Sequence, residues 1–347
     1  MKKQSYSIDI TAVAKVAGVS AATVSRVLNH PDLVKDSTRK RVDAAIRKTG
    51  YIRNRAAQSM HGRRSATLGL VLPTVNYSIF AELVQSFNDA VSDLGFTLLL
   101  ATHGYDLKVE YQVLRKLLEH RVDGIALIGF DHSRDTFRLL ASQKVPVVAA
   151  WNYAPDSPVS CIGADNAEAG AVAARHLLSL GHRRIGFIFP PTAENDRARD
   201  RMQAAIATLR SAGQDVSENS IARAQYSIAD SKAVCLELLH PRPPFTALLC
   251  GNDIIAQGVL SAAQQLGLRV PEDLSVIGIG DFPGSADMFP ALTTVAIPAR
   301  EIGARAGRHL VDIIGHFDAT QITRTKVAVT LKHRATTRSP SSDPALT

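Results

Sequence analysis

Thr23, Ser25 and Arg26 bring two hydroxyls and a guanidinium together within four residues. Such groups hydrogen-bond to base edges and pair with phosphates. Two short helices would have to hold them. Asp9 is suited to cap the first, whose Ile10, Val13, Ala14 and Ala17 recur on one face. Gly18 then permits the left-handed residue of a tight turn. Ser20 is suited to cap the second, whose apolar side is Val24, Val27 and Leu28, with Thr23, Ser25 and Arg26 off that side. Helix, glycine turn and capped helix is the helix-turn-helix pattern, in which the second helix enters the major groove with its N-terminal residues against the bases.

A functionless helical hairpin would show the same pattern, and charge separates the two readings. Residues 1–65 hold 14 Lys and Arg against 4 Asp and Glu, a net of +10. The whole chain is +8, which leaves −2 for residues 66–347. A basic face that neutralises phosphates gains affinity by releasing counterions. A tail that only aided solubility would not need capped, apolar-patterned helices around its charge.

The remaining length, out of 347 residues, suffices for a two-lobed domain, and 46% hydrophobic residues exclude global disorder. No apolar run approaches the roughly 20 residues of a membrane span, and the N-terminus is polar and lacks a signal-peptide core. A cytoplasmic protein with no membrane partner is expected. Cys161, Cys235 and Cys250 have no metal-ligand spacing and read as buried reduced thiols. No metal and no cofactor is expected.

A third helix over 36–49, with Val42, Ala45 and Ile46 inward, would complete a three-helix head over 1–52. Residues 53–65 read as a hinge and linker, in which Asn54 can cap a short helix ended by Gly62. So short a helix is marginal alone, since nucleation is costly. Met60 either packs on the core or enters the minor groove as a wedge. From Leu68 onward apolar runs alternate with amphipathic helices: strands near 68–72, 96–101, 124–128 and 145–150, helices over 80–94, 110–120 and 134–143. The series then repeats with helices over 168–180, 197–212 and 254–266 and strands over 184–189, 246–250 and 275–279. This alternation predicts parallel sheets flanked by helices in two similar lobes, with ligands bound beyond the carboxyl ends of the strands. The tail over 338–347 reads as disordered.

Ordered motifs now accumulate: Val13-Ala14-Lys15-Val16-Ala17-Gly18-Val19-Ser20, Thr23-Val24-Ser25-Arg26-Val27-Leu28-Asn29, Gly50-Tyr51-Ile52, Asn54-Arg55-Ala56, Asp165-Asn166, Gly181-His182-Arg183-Arg184-Ile185, Gly251-Asn252-Asp253, Val270-Pro271-Glu272-Asp273 and Pro290-Ala291-Leu292-Thr293-Thr294. In these the chain resembles the lactose-repressor-type (LacI/GalR) transcription regulators from Ile8 to about Arg334. The resemblance implies a small all-α helix-turn-helix head on an α/β two-lobed, periplasmic-binding-protein-like core over 66–337. It also implies a homodimer on pseudo-palindromic double-stranded operator DNA. The chain would cross between lobes near 163–165, 292–295 and 322–328, giving lobe 1 as about 66–163 and 294–324 and lobe 2 as about 164–293 and 325–337.

The resemblance also implies the sites. Ser20, Ala21, Ala22, Thr23, Ser25, Arg26, Asn29 and Tyr51 match the DNA-contacting head, and Asn54, Ala57, Gln58 and Met60 the hinge, with Met60 at the usual leucine wedge. Two departures stand out. Ala21 and Ala22 offer no hydrogen bonds at the first recognition positions, although alanine can touch a thymine methyl. Discrimination must then lean on neighbours and on operator deformability. Arg53 replaces the usual proline.

Phe80, His132, Trp151, Asn152, Arg197, Arg201, Asn252 and Asp281 fall at effector positions, Arg201 at the arginine that holds the effector's polar groups. Arg199 reads as part of a solvated helix start, and Trp151 is open between stacking on a ligand and packing at the rim. Where sugar-binding members carry Gly-aromatic-Asp-Asp/Asn, this chain has Gly278-Ile279-Gly280-Asp281. The first carboxylate is absent while the arginines remain, which favours an anion. Thr102-His103-Gly104-Tyr105 and His132 look most like the gluconate-repressor branch, so the expected effector is a sugar acid such as gluconate or ketogluconate. A neutral sugar or nucleobase is the alternative.

Other classes fit less well. No GxGxxG or P-loop follows a strand, and no nucleophile–base pair stands at recognised spacing, so an enzyme is not expected. A solute-binding receptor would share the core but have no use for a basic head. A repressor controlled allosterically by population shift is the expected function, with the sign, inducer or corepressor, open. No leucine heptad follows Arg334, which argues for a dimer over a tetramer.

Overall fold

The computed structural model describes residues 8–52, 64–240, 244–315 and 321–340. The chain divides into two compact units, Met1–Ser65 and Ala66–Thr347.

In the first unit α1 is Ile10–Ala17, α2 Ala21–Asn29 and α3 Asp36–Thr49. The caps are those the residue types require. Asp9 Oδ1 accepts from the Ala12 N–H at 2.9 Å, and Ser20 Oγ accepts from the Thr23 N–H at 3.1 Å. Gly18, at φ 66°, closes α1, and α1 and α2 are bent 101° to one another, within the helix-turn-helix range. Val13, Ala14, Ala17, Val24, Val27, Val42 and Ala45 form the core of the head, with Ile10, Leu28, Ile46 and Tyr51 half-buried around it. The expected hinge helix, with Asn54, Ala57, Gln58 and Met60, lies outside the described residues.

The second unit is two sheets covered by helices. Its first series runs β1 Thr67–Leu72, α4 Ser78–Ser92, β2 Thr97–Thr102, α5 Leu107–Glu119, β3 Gly124–Ile128, α6 Arg134–Gln143, β4 Val147–Asn152 and β5 Ser160–Ala164. The second runs α7 Asn166–Ser179, β6 Ile185–Phe189, α8 Asp196–Ser211, β7 Ile221–Arg223, α9 Ile228–Leu238, β8 Ala247–Cys250, α10 Asp253–Gln265, β9 Ser275–Gly280 and β10 Thr293–Ala296. Then come α11 Ala299–Gly315, β11 Arg324–Val327 and β12 Thr330–Lys332. Sheet one has the order β11-β5-β4-β3-β1-β2, all parallel, and sheet two β12-β10-β9-β8-β6-β7, parallel except for the β10–β12 pair. Strands such as β3 and β6 are buried throughout, which is why their sequences read as unbroken apolar runs.

Strand pairing moves one of the expected crossings and one of the expected lobe boundaries. β10 stays in sheet two, Thr293 opposite Ile277, so the second crossing falls after Ala296 and not at 292–295. β11 joins sheet one, Arg324 opposite Cys161 and Val327 opposite Ala164, so residues 325–327 belong to lobe 1. The expected tail also begins too early. The Arg338 N–H donates to Ser275 Oγ at 3.1 Å, and its carbonyl accepts from His182 Nε2 at 2.9 Å, which pins residue 338 to sheet two. Residues 341–347 lie outside the described residues.

Cys161, Cys235 and Cys250 are buried free thiols. Burial pushes the Cys235 thiol up to about 12 and Cys250 upward too, which leaves them poor nucleophiles. No single helix among the described residues is long and apolar enough to cross a membrane.

Candidate functional site

Helix α2 presents a mixed face. Ser20, Ala22 and Arg26 are exposed, Thr23 and Ser25 half-buried. Arg26 has no carboxylate partner among the described residues and is available to a phosphate. Ser20 and Thr23 share a hydroxyl contact at 2.9 Å. Asn29 Nδ2 donates to the Ser25 carbonyl at 2.7 Å and to Ser25 Oγ at 3.1 Å, so these two polar groups brace one another. Ala21 and Tyr51 pack partly on the head's core.

In the second unit a cavity of about 30 Å³ lies between the lobes, lined by Tyr77, Ile79, Phe80, Tyr105 and Trp151 from lobe 1 and Arg197, Arg201, Tyr226, Asn252 and Phe282 from lobe 2. That is far below the roughly 300–1,000 Å³ of pockets that enclose small-molecule ligands, so a sugar-sized ligand requires the lobes to part. Five of the eight sequence-predicted effector residues meet here: Phe80, Trp151, Arg197, Arg201 and Asn252. Trp151 is 2% exposed, at φ 79°, with its ring 5.1 Å from that of Phe80. It is thus a buried wall of the cavity, and its Nε1 has no hydrogen-bond partner among the described residues. Asn252 caps α10, its Oδ1 accepting from the Ile255 N–H at 3.0 Å.

The two arginines differ. Arg197 donates through Nη1 to Asp196 Oδ1 at 2.9 Å and lies 5.9 Å over the Tyr105 ring. Burial works against its charge, but the Asp196 carboxylate and the tyrosines outweigh burial and hold its pKa above the usual value. Arg201, 5% exposed, donates to Asn166 Oδ1 at 2.8 Å and to the Gly251 carbonyl at 3.1 Å. No carboxylate lies within ion-pair distance of it among the described residues, and burial draws its pKa down.

The other three predicted residues do not line the cavity, because neighbours distant in sequence engage them. Asn152 Nδ2 donates to Asp196 Oδ2 at 2.8 Å, and the same carboxylate oxygen accepts from the Phe130 N–H at 2.6 Å. Asp196, on α8, thereby stitches lobe 2 to two segments of lobe 1. His132 bonds to Glu110 Oε2 at 2.8 Å and to the Gly129 carbonyl at 3.1 Å, in a buried cluster with Thr136 and His103. Asp281 Oδ1 accepts from Arg334 Nη2 at 2.7 Å. Arg199 is not merely a solvated helix start: its guanidinium forms two 2.8 Å bonds to Asp131 across the cleft.

Tyr77, Ile79, Tyr226 and Phe282 were not among the sequence-predicted site residues, and Tyr105 only as part of a branch motif. A signal existed: Tyr77, Tyr105, Tyr226 and Phe282 each follow the carboxyl end of a strand, β1, β2, β7 and β9, where α/β sheets place their ligands. The tyrosines also tie the lobes together. Tyr77 donates its hydroxyl to the Tyr226 carbonyl at 3.0 Å, and Tyr105 stacks on Tyr226 at 5.9 Å. Among the described residues no group of three or more His, Cys, Asp or Glu is placed to hold a metal ion.

Comparison with known proteins agrees with this architecture. A profile of bacterial regulatory proteins of the lacI family matches residues 9–54, and one of a periplasmic binding protein-like domain matches residues 174–337. The transcriptional repressor CytR of Escherichia coli K12 is 34% identical over 90% of this chain and 91% of its own length. The crystal structure of the transcription regulator GntR from Chromobacterium violaceum superposes with a TM-score of 0.73 at 32% identity, over 78% of this chain and 99% of that one. The lac repressor dimer bound to operator and the anti-inducer ONPF superposes with a TM-score of 0.84 at 25% identity, over 95% and 99%.

Proposed function

The chain belongs to the LacI family of bacterial regulatory proteins as a DNA-binding transcriptional repressor, and from that premise we propose that it acts in the cytoplasm as a homodimer released from or recruited to its operator by a sugar acid such as gluconate or ketogluconate. The observation that carries the effector class is Arg201: a buried guanidinium in the cleft with no carboxylate partner among the described residues. A buried charge is costly unless paired, and a ligand carboxylate would pair it bidentately. The likeness to GntR is in keeping with the branch resemblance of Thr102–Tyr105, and the relative solved as a dimer on operator supports the dimeric reading.

Ser20, Ala21, Ala22, Thr23, Ser25, Arg26, Asn29 and Tyr51 are assigned to the operator contact, together with Asn54, Ala57, Gln58 and Met60 of the linker. Phe80, Trp151, Arg197, Arg201 and Asn252 are assigned to the effector. Binding changes the balance of open and closed core, and that balance sets operator affinity. Coupling of this kind is reciprocal, so operator and effector alter one another's affinity by the same factor. A second reading rests on a different observation. Six of the ten lining residues are aromatic, a lining suited to a planar ring such as a nucleobase.

Calorimetry with gluconate, ketogluconate, glucose and adenine, on the full chain with and without operator DNA, tests both. Micromolar binding of an acid, altered by operator, is expected. Tight binding of glucose or adenine with no response to either acid refutes the sugar-acid assignment, and equal affinities with and without operator refute the allosteric one.

A further inference from the structure

We propose that lobe 1 holds a second ligand site, a cavity beneath α6 that takes a small amphipathic acid, and that its occupancy bears on the loop that joins the two lobes. The inference goes beyond the cleft and does not depend on which effector the cleft binds.

The cavity has two adjoining parts. The outer measures about 520 Å³ and the inner about 140 Å³, and Phe137, Val147, Pro158 and Val159 line both. The outer part alone falls within the roughly 300–1,000 Å³ of pockets that enclose small molecules. It lies at the amino ends of β4 and β5, beside Val147 and Ser160, whereas Trp151 and the cleft lie at the carboxyl end of β4. Short side chains, among them Ala141, Val145 and Val159, leave the space. Interiors pack with few voids larger than a water molecule, so a space of this size is out of scale with ordinary packing.

Charge selects the ligand. Lys144, exposed at the C-terminal end of α6, is the single charged side chain among the described residues around the outer part. No carboxylate lies within ion-pair distance of it among the described residues. Around the inner part the one titratable group is His132, already bonded to Glu110 Oε2 and the Gly129 carbonyl. A carboxylate at the rim and an alkyl chain pointing inward match this gradient: Lys144 pairs the head, and the chain leaves water for Phe137, Val147 and Val159. A polyhydroxylated acid does not match, because its hydroxyls gain no partners inside.

The inner end reaches the segment that clasps lobe 2. Gly129 and Phe130 line it. The Phe130 N–H donates to Asp196 Oδ2 at 2.6 Å, and the next residue, Asp131, holds Arg199 by two 2.8 Å bonds. Gly129 is pressed against lobe 2 as well, since a Cβ built there would run into Arg197 Nη1. A chain end against this loop acts on the groups that hold the lobes together, and by linkage those groups act on the chain.

Calorimetry of octanoate and 1-octanol on the full-length protein tests the site. Octanoate should bind with submillimolar affinity. Lys144→Gln should weaken octanoate by roughly two- to fivefold, the scale of an exposed ion pair, and leave 1-octanol unchanged. Val159→Trp, which fills the neck shared by the two parts, should abolish octanoate binding, and Ala141→Trp, at the exposed rim, decides the matter if that variant does not fold. Arg199→Gln, which cuts the clasp, should change octanoate affinity by roughly twofold or more. No octanoate binding at millimolar concentration, or binding undiminished in the folded tryptophan variant, overturns the site. Equal octanoate affinity in Arg199→Gln and the parent overturns the link to the clasp. Failure of gluconate to bind would sink the sugar-acid reading of the cleft and leave each of these outcomes as decisive as before.

Discussion

Replacing Arg199 by glutamine should speed effector binding, and the size of the effect follows from the geometry. The guanidinium spans the cleft to Asp131 with two 2.8 Å bonds, and the two side chains are 34% and 26% exposed. Partial exposure screens the pair, so about 0.5–1 kcal/mol is the appropriate scale even for bidentate geometry. The cavity behind it holds about 30 Å³, so binding must pass through a more open form that the ion pair opposes. Losing up to about 1 kcal/mol of closure raises the open fraction roughly two- to fivefold, and the association rate with it. Trp151, the single tryptophan of the chain, lines this cavity and provides a stopped-flow fluorescence signal. Arg199→Gln and Asp131→Asn should each accelerate association by that factor, and the double variant should match the single ones, since either removes the same bond. High salt should accelerate the parent protein toward the variants. Independent, multiplying effects of the two substitutions, or rates equal to the parent's at low salt, would refute the clasp.

Other measurements bear on the remaining parts. Arg201→Met should weaken an acidic effector by roughly a hundredfold, the scale of a lost charge-assisted bidentate contact, and leave operator affinity without effector unchanged in a gel-shift titration. Arg26→Ala should weaken binding to operator and random duplex alike and reduce the salt slope by about one. A pH-dependent stability loss is expected from His176, whose pKa burial, then His333 and His182, lower from 6.5 to about 4. The unfolded chain binds the extra proton first, so stability is full above pH 6.5 and falls as pH drops toward 4. The loss is about 1–2 kcal/mol by pH 5, and thermal melts of His176→Gln should show a correspondingly flatter pH dependence.

Local chemistry makes the head legible from its residues. Asp9, Gly18 and Ser20 act within three residues of themselves, through caps and a left-handed turn, so their roles depend on little beyond their neighbours. The buried parallel strands were equally plain, because a strand covered on both faces must be apolar throughout. The last crossings were not: β10, β11 and β12 are three- or four-residue strands, too short for a periodic signal, and only pairing with β9, β5 and β10 assigns them to a sheet. The cleft was legible in part. Arg197, Arg201, Trp151 and Asn252 follow family positions into the cavity, whereas Asn152, His132 and Asp281 are turned to Asp196, Glu110 and Arg334, which lie 44, 22 and 53 residues away. The sequence alone thus determined that a basic helical head precedes a two-lobed receptor containing arginines. The tertiary structure decided which polar groups remain open to a ligand, because a side chain's best partner is chosen by proximity in space. A buried donor or acceptor takes whichever partner the packed fold brings within 3 Å.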